Sequence, residues 1–343
     1  MSRIILFLTL ILQLAAKQNG YSQTTTDKKQ QFVSLGNFLL ENGQQIVDCK
    51  ISYRTFGKQN ANQSNAIIYL TSGGITTYMM EKYFGVGQDV DTTKFYLILI
   101  DALGNGASSS PSNSISQSKT LFPQFNIRDM VNTQYKMLTE KLNIHHLVAV
   151  VGGSMGGCQA LQWAVSYPNF MDKIVAIEAT PRFSTYDLLW TSTYIEAVTR
   201  DTAYHGGNYT VNPAIPLAAH LGQLLITTPA TVNKTMPING FSKWFQTIGK
   251  ANFVDCNNFL WQTKANMMQD ITKPGDSLEN TAKIIKAKML IVANKQDRMY
   301  NQTSSIEFAK LINAELIEMD SDLGHLILGE KNVIDATRKF LSL

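Results

Sequence analysis

Short apolar segments alternate with helical patterns along most of this chain, and few folds accommodate that order. Six segments have the near-continuous apolar character of strands that are covered on both faces. Helical patterns separate some of these strands, at 127–142, 154–167 and 304–312. Strands in such an order predict an α/β fold, with a mostly parallel central sheet flanked by helices. The six predicted strands are 66–70, 95–100, 146–151, 174–177, 289–293 and 315–319.

The alternation stops between residues 183 and 275, where Thr, Asn, Met and aromatic residues are frequent and no clear strand occurs. With 343 residues, the chain exceeds the length at which a single core usually stops growing. We therefore predict a core in two parts, residues 30–182 and 276–343, with a helical cap at 183–275 inserted between them. The alternative is that this region adds two or three helices to the same core.

A glycine-rich turn follows the predicted strand 146–151. Residues 152–157 read GGSMGG, which matches the pattern G-x-S-x-G between a strand and a helix. In this context a sharp turn holds a serine in a strained conformation and exposes its hydroxyl at the sheet edge. A Gly-rich turn or a phosphate-binding loop is the alternative, but no Lys follows the glycines as a Walker-type loop requires. The pattern predicts Ser154 as a nucleophile.

A serine nucleophile needs a base, and the base needs an orienting acid, in the chain order Ser, Asp or Glu, His. Of the five histidines, only His325 follows the last predicted strand. Asp297 is the carboxylate in the loop after strand 289–293, whereas Asp320 and Asp322 share the loop of His325. We predict a triad of Ser154, His325 and Asp297.

The oxyanion formed during acyl transfer needs two backbone N–H donors. One should be the residue after the nucleophile, Met155. The other should lie in the small-residue loop after strand 66–70, where TSGG occupies 71–74. We predict the N–H groups of Met155 and Gly73.

The first residues have the organisation of a secretory signal peptide. Arg3 precedes a largely apolar stretch from Ile4 to Ala16, and small residues follow as far as Ser22. At 13 residues the stretch is short for a membrane-spanning helix. A buried helix or a retained anchor are the alternatives. We predict a signal peptide at 1–22, a secreted or periplasmic protein, and no stable membrane insertion after its removal.

Composition excludes several classes of protein. The apolar fraction of 44% and the charged fraction of 16% are ordinary for a globular chain. A net charge of +4 without a Lys/Arg run does not indicate a nucleic-acid partner. Three widely spaced cysteines show neither a disulfide framework nor metal-ligand spacing. We predict no cofactor and no metal.

Five segments together resemble the homoserine O-acetyltransferase family of α/β-hydrolases over most of the chain after residue 30. The family implies the α/β-hydrolase fold, and it implies the triad at Ser154, Asp297 and His325. It is also compatible with a homodimer through the cap. The segments are FP at 122–123, IRDMV at 127–131, the elbow and its helix at 152–168, DCNNFL at 255–260, and DSDLGH at 320–325.

Two positions depart from the pattern of these transferases. Leu326 stands where the family usually has an Asp that meets the substrate's amino group. Ile195 stands where a cap Arg holds the substrate's carboxylate, unless Arg182 or Arg200 takes its place. A site without charged partners rejects a zwitterionic amino acid. Export points the same way, since acyl-CoA is a cytoplasmic donor.

We therefore predict a secreted or periplasmic serine hydrolase that cleaves carboxylic esters of small molecules through an acyl-enzyme. The first alternative is a homoserine O-acetyltransferase-type acyltransferase. The second is a catalytically silent binding module on a hydrolase scaffold. Candidate substrate-binding residues are Trp190, Tyr194, Trp261 and Leu326, with ordinary packing as the alternative for the aromatic ones.

Overall fold

A computed structural model describes residues 29–81, 84–251 and 254–342. Its centre is an eight-stranded sheet in the order β1-β2-β4-β3-β5-β6-β7-β8. β1 and β2 pair antiparallel, β2 and β4 pair antiparallel, and every other neighbouring pair is parallel. The strands are β1 (Gln31–Leu39), β2 (Gln45–Phe56), β3 (Ala66–Leu70), β4 (Tyr96–Ile100), β5 (Leu147–Gly153), β6 (Met171–Ile177), β7 (Lys288–Asn294) and β8 (Glu315–Met319).

Helices cover both faces of this sheet, so the predicted α/β-hydrolase architecture is confirmed. Alternate residues of β3 enter two different apolar clusters, with Ile67 and Tyr69 in one and Ile68 and Leu70 in the other. The helices are α1 (Thr77–Met80), α2 (Ile127–Lys136), α3 (Met155–Ser166), α4 (Thr185–Thr199), α5 (Pro216–Ile226), α6 (Pro229–Thr235), α7 (Phe241–Gly249), α8 (Cys256–Met267), α9 (Leu278–Ala282), α10 (Thr303–Leu311) and α11 (Lys331–Ser342).

The two N-terminal strands were not predicted. β1 and β2 form an antiparallel hairpin at one edge of the sheet, and the pairing shifts register twice between Ser34 and Phe38. Exposed and buried residues mix irregularly along β1 because of these shifts. A search for continuous apolar runs, which suits the buried parallel strands, does not detect such a hairpin.

The segment between β6 and β7, residues 178–287, is called the helical region here. Its described residues form α4 to α9 together with short 3-10 turns. An isolated antiparallel bridge joins Arg182 to Asp270, near both ends of the predicted cap at 183–275. The helical region lies over the carboxyl ends of the strands, where the predicted site residues are found.

The predicted signal peptide, residues 1–22, lies outside the described residues. Among the helices that are described, none has the length and apolar character needed to cross a membrane.

Candidate active site

Ser154 lies on a strained turn between β5 and α3. Its backbone has φ 56° and ψ −129°, in the left-handed region that a side chain disfavours. The N–H of Ser154 donates to the carbonyl of Ile177 at 2.9 Å, which ties the turn to β6. Strain of this kind costs on the order of 1–3 kcal/mol and persists where surrounding contacts impose it. The geometry is that of the nucleophile elbow expected from the sequence.

Two glycines allow the turn to pack so closely. A Cβ at Gly152 would lie 2.2 Å from the carbonyl oxygen of Gly156. A Cβ at Gly156 would lie 2.3 Å from the carbonyl oxygen of Leu70. Both distances are shorter than any tolerated contact and both involve backbone atoms, which cannot move aside. The glycines before and after the serine are therefore steric requirements of the elbow.

The structure brings the three predicted triad residues together. Nε2 of His325 lies 2.8 Å from Oγ of Ser154, and Nδ1 lies 2.8 Å from Oδ2 of Asp297. The side chain of Asp297 is fully buried and that of His325 is 6% exposed. A hydroxyl, an imidazole and a carboxylate in this order can pass a proton from the nucleophile to the base.

Asp297 is held by more than the histidine. Its Oδ1 accepts hydrogen bonds from the N–H groups of Met299 and Tyr300, and its Oδ2 accepts one from the side-chain amide of Gln302. The competing carboxylates, Asp320 and Asp322, are both exposed. The loop after β7 therefore supplies the carboxylate that meets the imidazole.

Hydrogen bonds to β7 and to α5 hold the loop that carries His325. The amide of Asn294, at the end of β7, donates to the carbonyls of Ser321 and Gly324 at 2.9 and 2.6 Å. The N–H of His325 donates to the carbonyl of Ile226 in α5 at 3.0 Å. The helical region thus helps to position the imidazole, in addition to covering it.

Burial and charge have opposite effects on the imidazole. Burial lowers the pKa of His325, while the carboxylates of Asp297 and Glu178 together raise it more, to about 9. The ring of Tyr300 meets that of His325 edge to face. Burial raises the pKa of the Tyr300 phenol well above its usual value, so the phenol stays neutral. Burial also raises the pKa of the Cys158 thiol to about 12, so this cysteine is no competing nucleophile.

A rise of activity with pH is expected from the raised pKa of His325. The base must be neutral to accept the serine proton, so kcat/KM should increase about tenfold per pH unit below the pKa and level off near pH 9. The measurement is kcat/KM for a neutral p-nitrophenyl ester between pH 6 and 10, corrected for spontaneous hydrolysis. A plateau already reached at pH 7 would contradict the assignment.

The two backbone N–H groups predicted as oxyanion donors are those of Gly73 and Met155. Gly73 lies in the wall of the cavity that contains Ser154, and within the described chain neither its N–H nor that of Met155 donates a hydrogen bond. The neighbours of Gly73 are fixed: the Ser72 hydroxyl donates to the carbonyl of Gly153 at 2.9 Å, and the Gly74 N–H donates to Oε1 of Gln262 at 2.8 Å. The loop at 71–74 is thus attached on either side of Gly73, whose own N–H donates to no group of the described chain.

Gln262 was not identified from the sequence. This residue of α8 is buried, and it bridges the Gly74 N–H and the carbonyl of Leu103, at 2.8 and 2.9 Å. It therefore attaches the loop at 71–74 to the helical region across 188 positions of sequence. No local pattern marks such a residue, because its partners become neighbours only in the folded chain.

The triad faces a cavity of about 590 Å³ between the carboxyl ends of the strands and the helical region. Three of the four predicted substrate-binding residues, Trp190, Tyr194 and Leu326, line it. Its wall is mainly apolar, as is typical of small-molecule sites. Three buried polar atoms in this wall, Oδ1 of Asp89, Nε1 of Trp190 and Oδ1 of Asn266, have no partner among the described residues.

The prediction for Trp261 was wrong. Its ring is buried away from the cavity, its Nε1 donates to the carbonyl of Phe122 at 2.9 Å, and Lys264 lies over its face. The residues of α8 that line the cavity follow a helical period through Phe259, Thr263 and Asn266. Trp261 lies on the opposite side of the helix from this row, so that it packs against the core.

The charged residues of the described cavity wall are few. Besides His325, the described wall contains one acidic residue, Asp89, and it contains no Lys or Arg. Arg182 forms an ion pair with Asp270, and Arg200 forms one with Glu196. Neither arginine lines the cavity, nor does Ile195. The wall that the structure describes thus provides no cation for a substrate carboxylate.

One cluster has the composition of a metal site. Glu178, Asp297 and His325 each offer a ligand atom within 4.8 Å of the others. Both ring nitrogens of His325 already contact other residues of the triad, so a metal would have to displace Asp297 or Ser154. The arrangement is better suited to proton transfer than to ligation.

Several known proteins resemble this chain in sequence and in fold. A family model described as alpha/beta hydrolase fold matches residues 66–332. An ethyl acetate hydrolase of Pseudomonas veronii is 31% identical over 90% of this chain and 92% of its own length. A homoserine O-acetyltransferase of Symbiobacterium thermophilum is 26% identical over 88% of this chain and 91% of its own. The crystal structure of the acetyl esterase MekB superposes with a TM-score of 0.85 at 30% identity, over 92% of this chain and 97% of that one.

Proposed function

Since the chain belongs to the α/β-hydrolase family, we propose that it hydrolyses uncharged carboxylic esters through an acyl-enzyme on Ser154. Its relatives include an ester hydrolase and an acetyltransferase, so this chain is an enzyme that acts on esters or acyl groups. The hydrolytic choice is carried by one observation, the cavity next to Ser154, whose described wall contains no Lys or Arg.

The proposed chemistry has two halves. Oγ of Ser154 attacks the ester carbonyl carbon while its proton passes to Nε2 of His325. The carbonyl oxygen becomes an oxyanion that the N–H groups of Gly73 and Met155 stabilise. The bond from the acyl carbon to the alcohol oxygen then breaks, and the alcohol leaves with the proton from His325. Water, deprotonated by the same imidazole, attacks the acyl carbon. The bond from this carbon to Oγ of Ser154 breaks, His325 returns the proton to Oγ, and the acid leaves.

The polarity of the cavity argues against a transferase that acts on amino acids. A zwitterion would have to place its carboxylate against an apolar wall, and burial of an unpaired charge is costly. Leu326, at the position after the catalytic histidine, offers a hydrocarbon surface to the amino group. A neutral ester meets no such penalty, and the buried Trp190 N–H can still bind one of its oxygens.

A matched pair of esters tests the proposed function. We expect p-nitrophenyl butyrate to be hydrolysed with a kcat/KM at least about 10²-fold above that of mono-p-nitrophenyl succinate, which carries a carboxylate at the end of its chain. Acetyl-CoA with homoserine serves as the transferase assay. Formation of O-acetylhomoserine faster than hydrolysis of the neutral ester would overturn the proposal in favour of the acyltransferase.

A fluorophosphonate probe distinguishes an enzyme from a silent binding module. The proposal requires one covalent adduct per chain, located at Ser154 by peptide mass spectrometry. Folded protein that remains unlabelled would indicate a scaffold without catalytic activity.

A further inference from the structure

A buried glutamate without an assigned role stands directly after β6. Glu178 is inaccessible to solvent, and neither oxygen of its carboxyl group makes a hydrogen bond of good geometry within the described residues, although the N–H of Ile327 lies close enough to lower its pKa. Its backbone lies in the left-handed region with φ 47°, and its N–H donates to the carbonyl of Val292 in β7 at 2.8 Å. A poorly paired buried carboxyl and a strained backbone are both costly, so their combination at one residue calls for an explanation.

This carboxyl group lies beside the acid and base of the triad. One of its oxygens is within 4.8 Å of a ring nitrogen of His325 and of a carboxylate oxygen of Asp297. Nδ1 of His325 is already occupied by Asp297 at 2.8 Å, and Glu178 lies near this pair without a hydrogen bond to either residue. A movement of at most about 2 Å would bring a carboxyl oxygen from this separation to hydrogen-bond distance of the imidazole.

We propose that Glu178 is a second acid of this centre, a positioning residue that stabilises the protonated His325 and accepts its Nδ1–H when Asp297 is absent. The proposal rests on the proposed function in one respect, that Ser154 is the nucleophile. It assigns two acids to one base, one from the loop after β7 and one from the end of β6.

The titration of Glu178 gives this role a pH dependence. Burial raises the pKa of Glu178 well above its usual value; His325 and the N–H of Ile327 lower it, and Asp297 and Glu330 raise it. These four groups face the carboxyl from the loop after β7, from the histidine loop and from the start of α11. Because the ionised carboxyl accepts the Nδ1–H more strongly than the neutral acid and alone stabilises the imidazolium by its charge, the support that it gives should increase as the pH rises.

The test compares Asp297→Asn, Glu178→Gln and the double variant in the full chain. The readout is the second-order rate constant of Ser154 labelling by a fluorophosphonate. In this reaction the Oγ–P bond forms, the P–F bond breaks, fluoride leaves, and the serine proton passes to His325. We expect Asp297→Asn to lower the rate about 10²-fold, whereas loss of the only acid in a triad costs about 10⁴-fold.

The double variant should be about 10²-fold slower again, and Glu178→Gln alone about tenfold slower. The ratio between Asp297→Asn and the double variant should be larger at pH 9 than at pH 6, which a structural role would not produce. Equal rates for these two variants at both pH values would overturn the proposal. A fall of 10⁴-fold or more in the labelling rate constant of Asp297→Asn would also overturn the proposal. This comparison does not need the double variant, so it holds even if that variant fails to fold.

Labelling separates this proposal from the proposed function. A wild-type protein that labels at Ser154 but does not hydrolyse neutral esters would refute the ester-hydrolase assignment and leave the comparison of acids intact. Circular dichroism of each variant checks that the rates refer to folded protein.

Discussion

Replacement of the nucleophile by alanine, Ser154→Ala, is expected to lower kcat for p-nitrophenyl butyrate by about 10⁶-fold with KM little changed. Loss of a triad serine removes the covalent route altogether, and the oxyanion donors and the binding site retain only a small acceleration. The side chain of Ser154 makes its hydrogen bond to His325 at 2.8 Å, and the hydroxyl of Tyr300 also interacts with it. Alanine keeps the Cβ that the strained turn already accommodates, so the fold should persist.

A matched control uses a serine remote from the cavity. Ser116 lies exposed in the loop between β4 and α2, and Ser116→Ala should hydrolyse the ester and react with the fluorophosphonate at the wild-type rate. The measurements are steady-state kinetics and intact mass after labelling. Persistent labelling of Ser154→Ala, or a fall in kcat of less than tenfold, would show that another residue is the nucleophile.

The parallel part of the fold was predictable because its signals are local. Each strand from β3 to β8 contains a short apolar run. The strand before Ser154, β5, and the strand before Asp297, β7, are each followed by a turn that can be recognised in the sequence. The β1–β2 hairpin was missed, since it has an exposed edge and irregular register. Its fold depends on pairing between strands, which no single segment encodes.

The triad was also predictable, because chain order and strand ends restrict the choice to one histidine and one aspartate. The residues that support it were not. Gln262 and Glu178 act across long sequence separations, and nothing beside them in the sequence marks a role. Trp261 was predicted to line the pocket and does not. An aromatic residue on a cap helix suggests a pocket, but the rotation of the helix about its axis decides which of its residues face the cavity.

Proline at position 73 is expected to lower kcat by about 10²- to 10³-fold, the usual cost of losing one oxyanion donor. Gly73→Pro removes the N–H that is free in the cavity wall, and proline has no other backbone donor to replace it. KM should change little, because the oxyanion forms only after the substrate has bound. Steady-state kinetics with the neutral ester measures both constants.

Gly73→Ala separates loss of the donor from the effect of a larger side chain. A Cβ at this position meets no atom within 4 Å, so alanine adds bulk in open space and keeps the N–H. The alanine variant should retain most of the wild-type kcat, while the proline variant loses it. Because the Ser72 hydroxyl and the Gly74 N–H hold the loop from either side, the remaining donor should stay in place in both variants. Equal kcat values for the two variants would exclude the Gly73 N–H as an oxyanion donor, and the stabilisation would then have to come from another group near Met155.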